Sequence, residues 1–126
     1  MRPRVGTVSD CIFCRMVTGE IPADVVHRTD RVLAFRDINP QAPTHVLVIP
    51  QDHFATAAAL AAADPGLLAE VVTVAQAVAV AEGLVTDDRD EPGYRLVTNT
   101  GPGVGQSVDH VHLHLLGGRG MGWPPG

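Results

Sequence analysis

His110-Val111-His112-Leu113-His114-Leu115-Leu116 alternates histidine with aliphatic residues, and that alternation is the period of a β-strand. Successive strand side chains point to opposite faces, so His110, His112 and His114 share one face, each ~6.6–6.8 Å along the strand from the next. Val111, Leu113 and Leu115 are assigned to the core. The chain holds six histidines in 126 residues, and three of them in register within so short a stretch are not a composition effect. The face is read as a site, for which three readings compete. One is a half-buried strand whose polar face is solvated or satisfied by neighbours. Another is a metal site, since neighbouring histidines on a strand face chelate zinc. In the third, a neutral imidazole attacks phosphorus while flanking imidazoles donate to the developing charge.

The preceding stretch favours the third. Thr100-Gly101-Pro102-Gly103-Val104-Gly105-Gln106-Ser107 runs straight into the histidines, and its glycines let backbone N–H groups come close to an anion. Alone, such a loop is an ordinary turn between strands. Beside three imidazoles it becomes a phosphate cradle.

Outward from there, Ile12 to Val17 is a short apolar segment expected to form one or two helical turns. Val25 to His27 and Arg31 to Arg36 read as strands around Thr29-Asp30, followed by a loop, Asp37 to Pro43, which two prolines keep out of any helix. Thr44 to Ile49 is an aliphatic strand ended by Pro50, with His45 at its start and His53 just beyond it. Each of those two histidines, taken alone, reads as surface or satisfied core. Ala55 to Ala63 is helical by propensity, and Asp64-Pro65 supplies an N-cap and first-turn proline for a second helix ending at Gly83. In it Leu67, Leu68, Val71, Val72, Ala75, Val78 and Ala79 recur at helical spacing. Asp87 to Gly93 is an acidic surface turn, and Tyr94 to Thr98 is the next strand. The order strand, strand, strand, helix, strand, strand predicts an α+β fold, an antiparallel five-stranded sheet with the main helix on one face.

A chain of this length makes one domain with a real core. Net charge of -5 and a pI near 5.5 offer no basic stripe, which argues against nucleic-acid polymers and anionic membranes as partners and leaves mononucleotides possible. Neither a signal-peptide core nor ~18 consecutive apolar residues occur, so a cytoplasmic location is expected. In that compartment Cys11-x-x-Cys14 reads as a redox pair, half of a zinc site or two unconnected buried thiols, more readily than as a structural disulfide.

H-V-H-L-H-L-L resembles the histidine triad (HIT) pattern, His-φ-His-φ-His-φ-φ with φ apolar. N-T-G-P-G-V-G-Q-S-V before it, L-L-G-G-R-G-M-G-W-P-P-G after it and A-F-R-D-I-N-P-Q-A-P-T-H-V-L-V-I-P upstream are similar to the Hint branch, the histidine triad nucleotide-binding proteins. The likeness runs from Cys11 to Gly126, implying a HIT domain over residues 11–126 behind a flexible N-terminus of residues 1–10. It also implies a homodimer whose sheets join into one.

The same resemblance implies a hydrolase that binds a purine mononucleotide (AMP or GMP type) and cleaves at the α-phosphorus, as an adenosine phosphoramidase does, through a nucleotidyl-histidine. His112 matches the family's nucleophile and reads as a surface-facing imidazole contributing little to stability. His114 and the Gly105-Gln106-Ser107 backbone would hold non-bridging oxygens, the Ser107 hydroxyl would pass a proton to the leaving group, and His110 would orient His112. Ile12, Phe13, Phe35 and Ile38 match the residues around the base, Asp37 the ribose carboxylate, and Asn99 an asparagine near the phosphate. Trp123 would reach the partner's site. Met16 replaces a branched aliphatic, and Asp109 stands where a larger or aromatic residue is common. Two alternatives stay open: a dinucleotide polyphosphate hydrolase of the Fhit type, and a nucleotide-binding or scaffold module with incidental catalysis. Some bacterial HIT proteins hold a structural zinc, and Cys11, Cys14, His53 and His110 match its ligands, with His45 as the alternative fourth. Catalysis itself would need no cofactor.

Overall fold

A computed structural model describes residues 10–87 and 91–126. The expected flexible N-terminus (but for its last residue, Asp10) and the middle of the acidic turn lie outside the described residues. The elements are α1 (Ile12–Val17), β1 (Val25–Arg28), β2 (Val32–Arg36), β3 (Thr44–Pro50), α2 (Ala57–Ala63), α3 (Pro65–Ala81), β4 (Tyr94–Val97) and β5 (Leu113–Gly117). They agree with the expected order, and the five strands form one antiparallel sheet in the order β1-β2-β3-β5-β4.

The start and the stop that the sequence names for α3 both act by recognisable chemistry. Asp64 Oδ1 accepts from the Leu67 amide at 3.0 Å, and Pro65 takes the first turn, where its missing N–H costs nothing. At the other end Gly83, at φ +77°, lets its own amide reach the Val80 carbonyl and the Leu84 amide reach that of Ala79, the paired closure that satisfies orphan carbonyls. Helix α2 starts later than expected, at Ala57, because the Thr56 hydroxyl caps it through the Ala59 amide.

Strand β3 lies between β2 and β5 and is buried along its whole length. Its alternation sorts the core into two layers. Val46 and Val48, with Val32, Ala34, Leu113 and Leu115, pack under Leu67, Val71, Val74, Ala75 and Val78 of α3. Leu47 and Ile49, with Leu33 and Phe35, face the opposite way, where α1 lays Phe13, Cys14 and Val17 on them. Leu115 is fully buried at the centre of the first layer. Leu115→Ala is expected to cost about 2–5 kcal/mol, read as a shift in the urea midpoint.

The histidine stretch departs from its expected form at one end. The ladder starts at Leu113, not His110. In the β3–β5 register Leu113 faces Val48, so a continuation would bring Val111 opposite Pro50, which has no N–H to give. The Pro50 carbonyl accepts from His110 Nε2 at 2.8 Å, and the Val111 amide donates to the Phe54 carbonyl at 2.7 Å, outside the ladder. Val111, Leu113 and Leu115 still enter the core as predicted.

Candidate active site and Cys/His cluster

Residues opposite one another in an antiparallel pair share a face, and His114 lies opposite Leu47. The histidines therefore join the second layer, beneath α1. Where α1 leaves that face uncovered there is a pocket of ≈ 550 Å³. Ile12, Phe13 and Met16 wall it from α1, Phe35, Asp37 and Ile38 from β2 and the loop after it, and Ser107, His112 and His114 from the far side. Phe13 meets both Phe35 and His112 edge-on, with ring centroids 5.5 and 5.1 Å apart. Of the nucleotide-site residues named from sequence, Asn99, Gly105, Gln106 and Trp123 do not line this pocket, and Trp123 is 85 % exposed.

His112 is 6 % exposed, which corrects the expectation of a surface-facing ring. Its Nδ1 lies 2.8 Å from the His110 carbonyl. A carbonyl only accepts, so Nδ1 carries the proton and Nε2 is left with a free lone pair. His110 thus fixes His112 through its backbone oxygen, whereas the sequence suggested only that it would orient its neighbour.

His114 is fixed by a chain of bonds that begins outside the triad. The Gln41 amide donates to His45 Nδ1 at 3.0 Å. His45 therefore bears its proton on Nε2, which donates to His114 Nδ1 at 2.9 Å. His114 is left with Nε2–H as a donor. Asp37 Oδ2, 3.5 Å from His45 Nε2, is too far to compete strongly for that proton. Sequence reasoning named His45 only as an alternative zinc ligand and missed its bond to His114. Its place on the same face of β3 as Leu47 was readable, but the register bringing it against His114 was not.

Burial, with His112 and His45 nearby, lowers the His114 pKa to about 4, and burial also lowers that of His45. Both rings are neutral near pH 7. Unfolded, an imidazole takes its proton near pH ~6.5, whereas folded His114 does so only near 4. Between those values the unfolded chain holds more protons, so acid erodes stability through this residue, by roughly 3 kcal/mol once pH reaches the folded pKa. Urea midpoints from pH 7 down to 4.5 should fall less steeply in His114→Asn than in the parent.

The glycine loop is braced from within. Gly105, in the left-handed region at φ +97°, donates its amide to the Pro102 carbonyl, and the Gln106 amide goes to the Gly101 carbonyl. The Gln106 side chain accepts from the Gly101 amide and donates to the Ala55 and Val108 carbonyls. Asn99 packs against the loop, its Nδ2 3.8 Å from where a Cβ at Gly105 would lie. Among the described residues, neither the Ser107 amide nor its hydroxyl is engaged inside the loop, and Ser107 lines the pocket.

A second cluster lies on the other side of His110. Cys11 Sγ and Cys14 Sγ are 3.5 and 3.6 Å from His110 Nδ1, and Cys14 Sγ is 3.5 Å from His53 Nδ1. The four donor atoms all fall within 4.8 Å of one another. Tetrahedral zinc with bonds of ~2.0–2.3 Å needs donors about 3.3–3.8 Å apart, so the set fits that ion. His110 Nε2 donates to the Pro50 carbonyl at 2.8 Å, which fixes the tautomer and turns the Nδ1 lone pair toward both sulfurs. His45, engaged with His114, does not belong to this set, and the alternative fourth ligand is thereby set aside.

The model of the HIT domain matches residues 18–121. The chain is 45 % identical over 113 residues to the purine nucleoside phosphoramidase of Escherichia coli, covering 90 % of this chain and 91 % of that one. It is 49 % identical over 120 residues to the 14 kDa zinc-binding protein of Zea mays, covering 94 % and 89 %. A HIT family hydrolase of known crystal structure from Legionella pneumophila superposes with a TM-score of 0.85 at 53 % identity, covering 93 % of this chain and all of that one. With the triad, the five-stranded sheet and the match over most of its length, the chain belongs to the HIT family.

Proposed function

We propose that this protein is a nucleotide hydrolase that cleaves purine nucleoside phosphoramidates at the α-phosphorus. The observation that carries the reading is the His112 tautomer: Nδ1–H is held by the His110 carbonyl and the Nε2 lone pair is free beside the pocket. In the reaction, His112 Nε2 forms a bond to phosphorus as the P–N bond to the leaving amine breaks, the amine departing with a proton passed by the Ser107 hydroxyl. Water then attacks the nucleotidyl-histidine and gives a proton back to the Ser107 oxygen as the P–N bond to His112 breaks, releasing the nucleoside monophosphate and returning the imidazole to its neutral state. The His114 Nε2–H donates to a non-bridging oxygen as charge builds, with the Ser107 amide as a second donor. Apolar Ile12, Phe13, Phe35 and Ile38 receive the base, and Asp37 accepts from the ribose hydroxyls. Gly105, Gln106 and Asn99 act by holding the shape of the loop. The E. coli phosphoramidase at 45 % identity supports the substrate class.

Zinc belongs to the reading as a structural ion on Cys11, Cys14, His53 and His110. When bound it supplies a fixed corner joining α1 to the start of the histidine stretch. Through the His110 backbone it secures the acceptor that fixes His112, and the chemistry remains with imidazole. The zinc-binding relative supports this assignment. The protein would act in the cytoplasm as a homodimer joined at a sheet edge, with the partner's Trp123 placed over the leaving group. Among the described residues no helix is long and apolar enough to cross a membrane.

The test is a direct comparison of adenosine phosphoramidate with diadenosine polyphosphates at equal concentration. Higher kcat/KM on the phosphoramidate is expected, and faster cleavage of the polyphosphates would establish the Fhit-type reading. Removing residues 122–126, which include Trp123 and the Gly122 carbonyl bound by Arg95 Nη2, should narrow the difference between the two substrates. An unchanged ratio would leave the tail without a role in leaving-group choice.

A further inference from the structure

The pocket has a second end, with chemistry that the hydrolytic steps do not use. In the sheet order β1-β2-β3-β5-β4, β1 stands three ladders from the strand that carries His114, roughly 14 Å at ~4.8 Å per strand. Asp24, the residue before β1, lines the pocket at that far end together with Pro22 and Ala23. Its carbonyl accepts from the Arg36 amide at 3.0 Å, and the next residue, Val25, pairs with Phe35. The sheet thus anchors Asp24 beside the aromatic wall of the slot. Its carboxylate makes no hydrogen bond or ion pair among the described residues; the guanidinium of Arg36 pairs with Glu82 at 2.6 Å and feels the Asp24 charge only through space. In the nucleotide reading, with phosphate at His112 and His114 and the base between Phe13 and Phe35, this far end of the pocket offers the outer edge of the base a carboxylate that accepts no hydrogen bond from the described residues.

We propose that Asp24 reads the nucleobase and makes guanine the preferred base, an inference that rests on the nucleotide reading above. An ionised carboxylate can only accept. Guanine presents two adjacent donors, N1–H and the N2 amino group, which the two carboxylate oxygens take together as charge-assisted bonds. Adenine offers one amino donor beside the N1 lone pair, so the second carboxylate oxygen would face another acceptor. Hypoxanthine, with N1–H alone, falls between them. For an exposed carboxylate the preference sits near the low end of what a two-pronged base contact gives, roughly tenfold.

Two readouts separate this inference from the reading beneath it. The first is kcat/KM for guanosine, inosine and adenosine phosphoramidates with the parent protein and Asp24→Asn. The second is calorimetric binding of GMP and AMP to the same pair, which does not depend on turnover. The parent should favour guanosine about tenfold over adenosine, with inosine intermediate, and Asp24→Asn should bring the ratio close to one in both assays. Equal use of the two bases by the parent, or a guanosine preference that survives Asp24→Asn, would overturn the role of Asp24. Base-selective binding without hydrolysis would uphold it while removing the hydrolase reading, and failure to bind either nucleotide would overturn both.

Discussion

His112→Ala should lower turnover of a phosphoramidate on the order of 10³-fold or more. The free Nε2 of His112 is the group proposed to bond to phosphorus, and no neighbour is placed to replace it: the other rings fixed around it are a donor, His114, and a ring turned toward two thiols, His110. A 10³-fold loss corresponds to about 4 kcal/mol in the barrier. The fold should pay less, because the ring borders an open pocket, and its loss strands one acceptor, the His110 carbonyl, for about 1–3 kcal/mol. The variant should therefore unfold cooperatively at a modestly lower urea midpoint while being inactive at temperatures where it is fully folded. Undiminished hydrolysis would end the mechanism, and loss of folding would recast His112 as structural.

The second large effect concerns the Cys/His cluster. Protein purified without chelator should contain about one zinc per chain, and Cys11→Ser, Cys14→Ser should contain none. An ion bound only to the folded state stabilises it by about 4 kcal/mol when free zinc exceeds its dissociation constant a thousandfold. The double variant should accordingly show a large fall in melting temperature, and α1, which the cluster ties to the histidine stretch, should lose its protection against hydrogen exchange. Activity should decline far less than in His112→Ala at temperatures where the variant is folded, since the ion is assigned no step. Zinc-free protein with both thiols titratable, an unchanged melting temperature and full activity would refute the site.

What could be read from the sequence, and what could not, divides along a physical line. Strand and helix periods, the Asp64-Pro65 start and the Gly83 stop are local chemistry, and the structure repeats them nearly to the residue. The in-out alternation of Val111, Leu113 and Leu115 is local as well, and held even where the ladder did not. Partnerships across the sheet are different, because register is fixed by the packing of whole strands. That is why His45 looked ordinary in the sequence and emerged as the ring that sets the tautomer of His114. The glycine loop shows the same limit. Its glycines marked the turn, but of the three amides expected to face phosphate, those of Gly105 and Gln106 bond within the loop, which leaves that of Ser107. The family resemblance brought Cys11, Cys14, His53 and His110 together before any geometry did, since His53 lies 39 residues and His110 96 residues along the chain from Cys14.

The most direct test of the covalent role given to His112 is the stereochemical course at the α-phosphorus, followed with a nucleoside phosphoramidate made chiral there by sulfur and hydrolysed in isotopically labelled water. Two in-line displacements, one by the imidazole and one by water, predict overall retention of configuration. Inversion would mean that water attacks phosphorus directly, and would contradict the account.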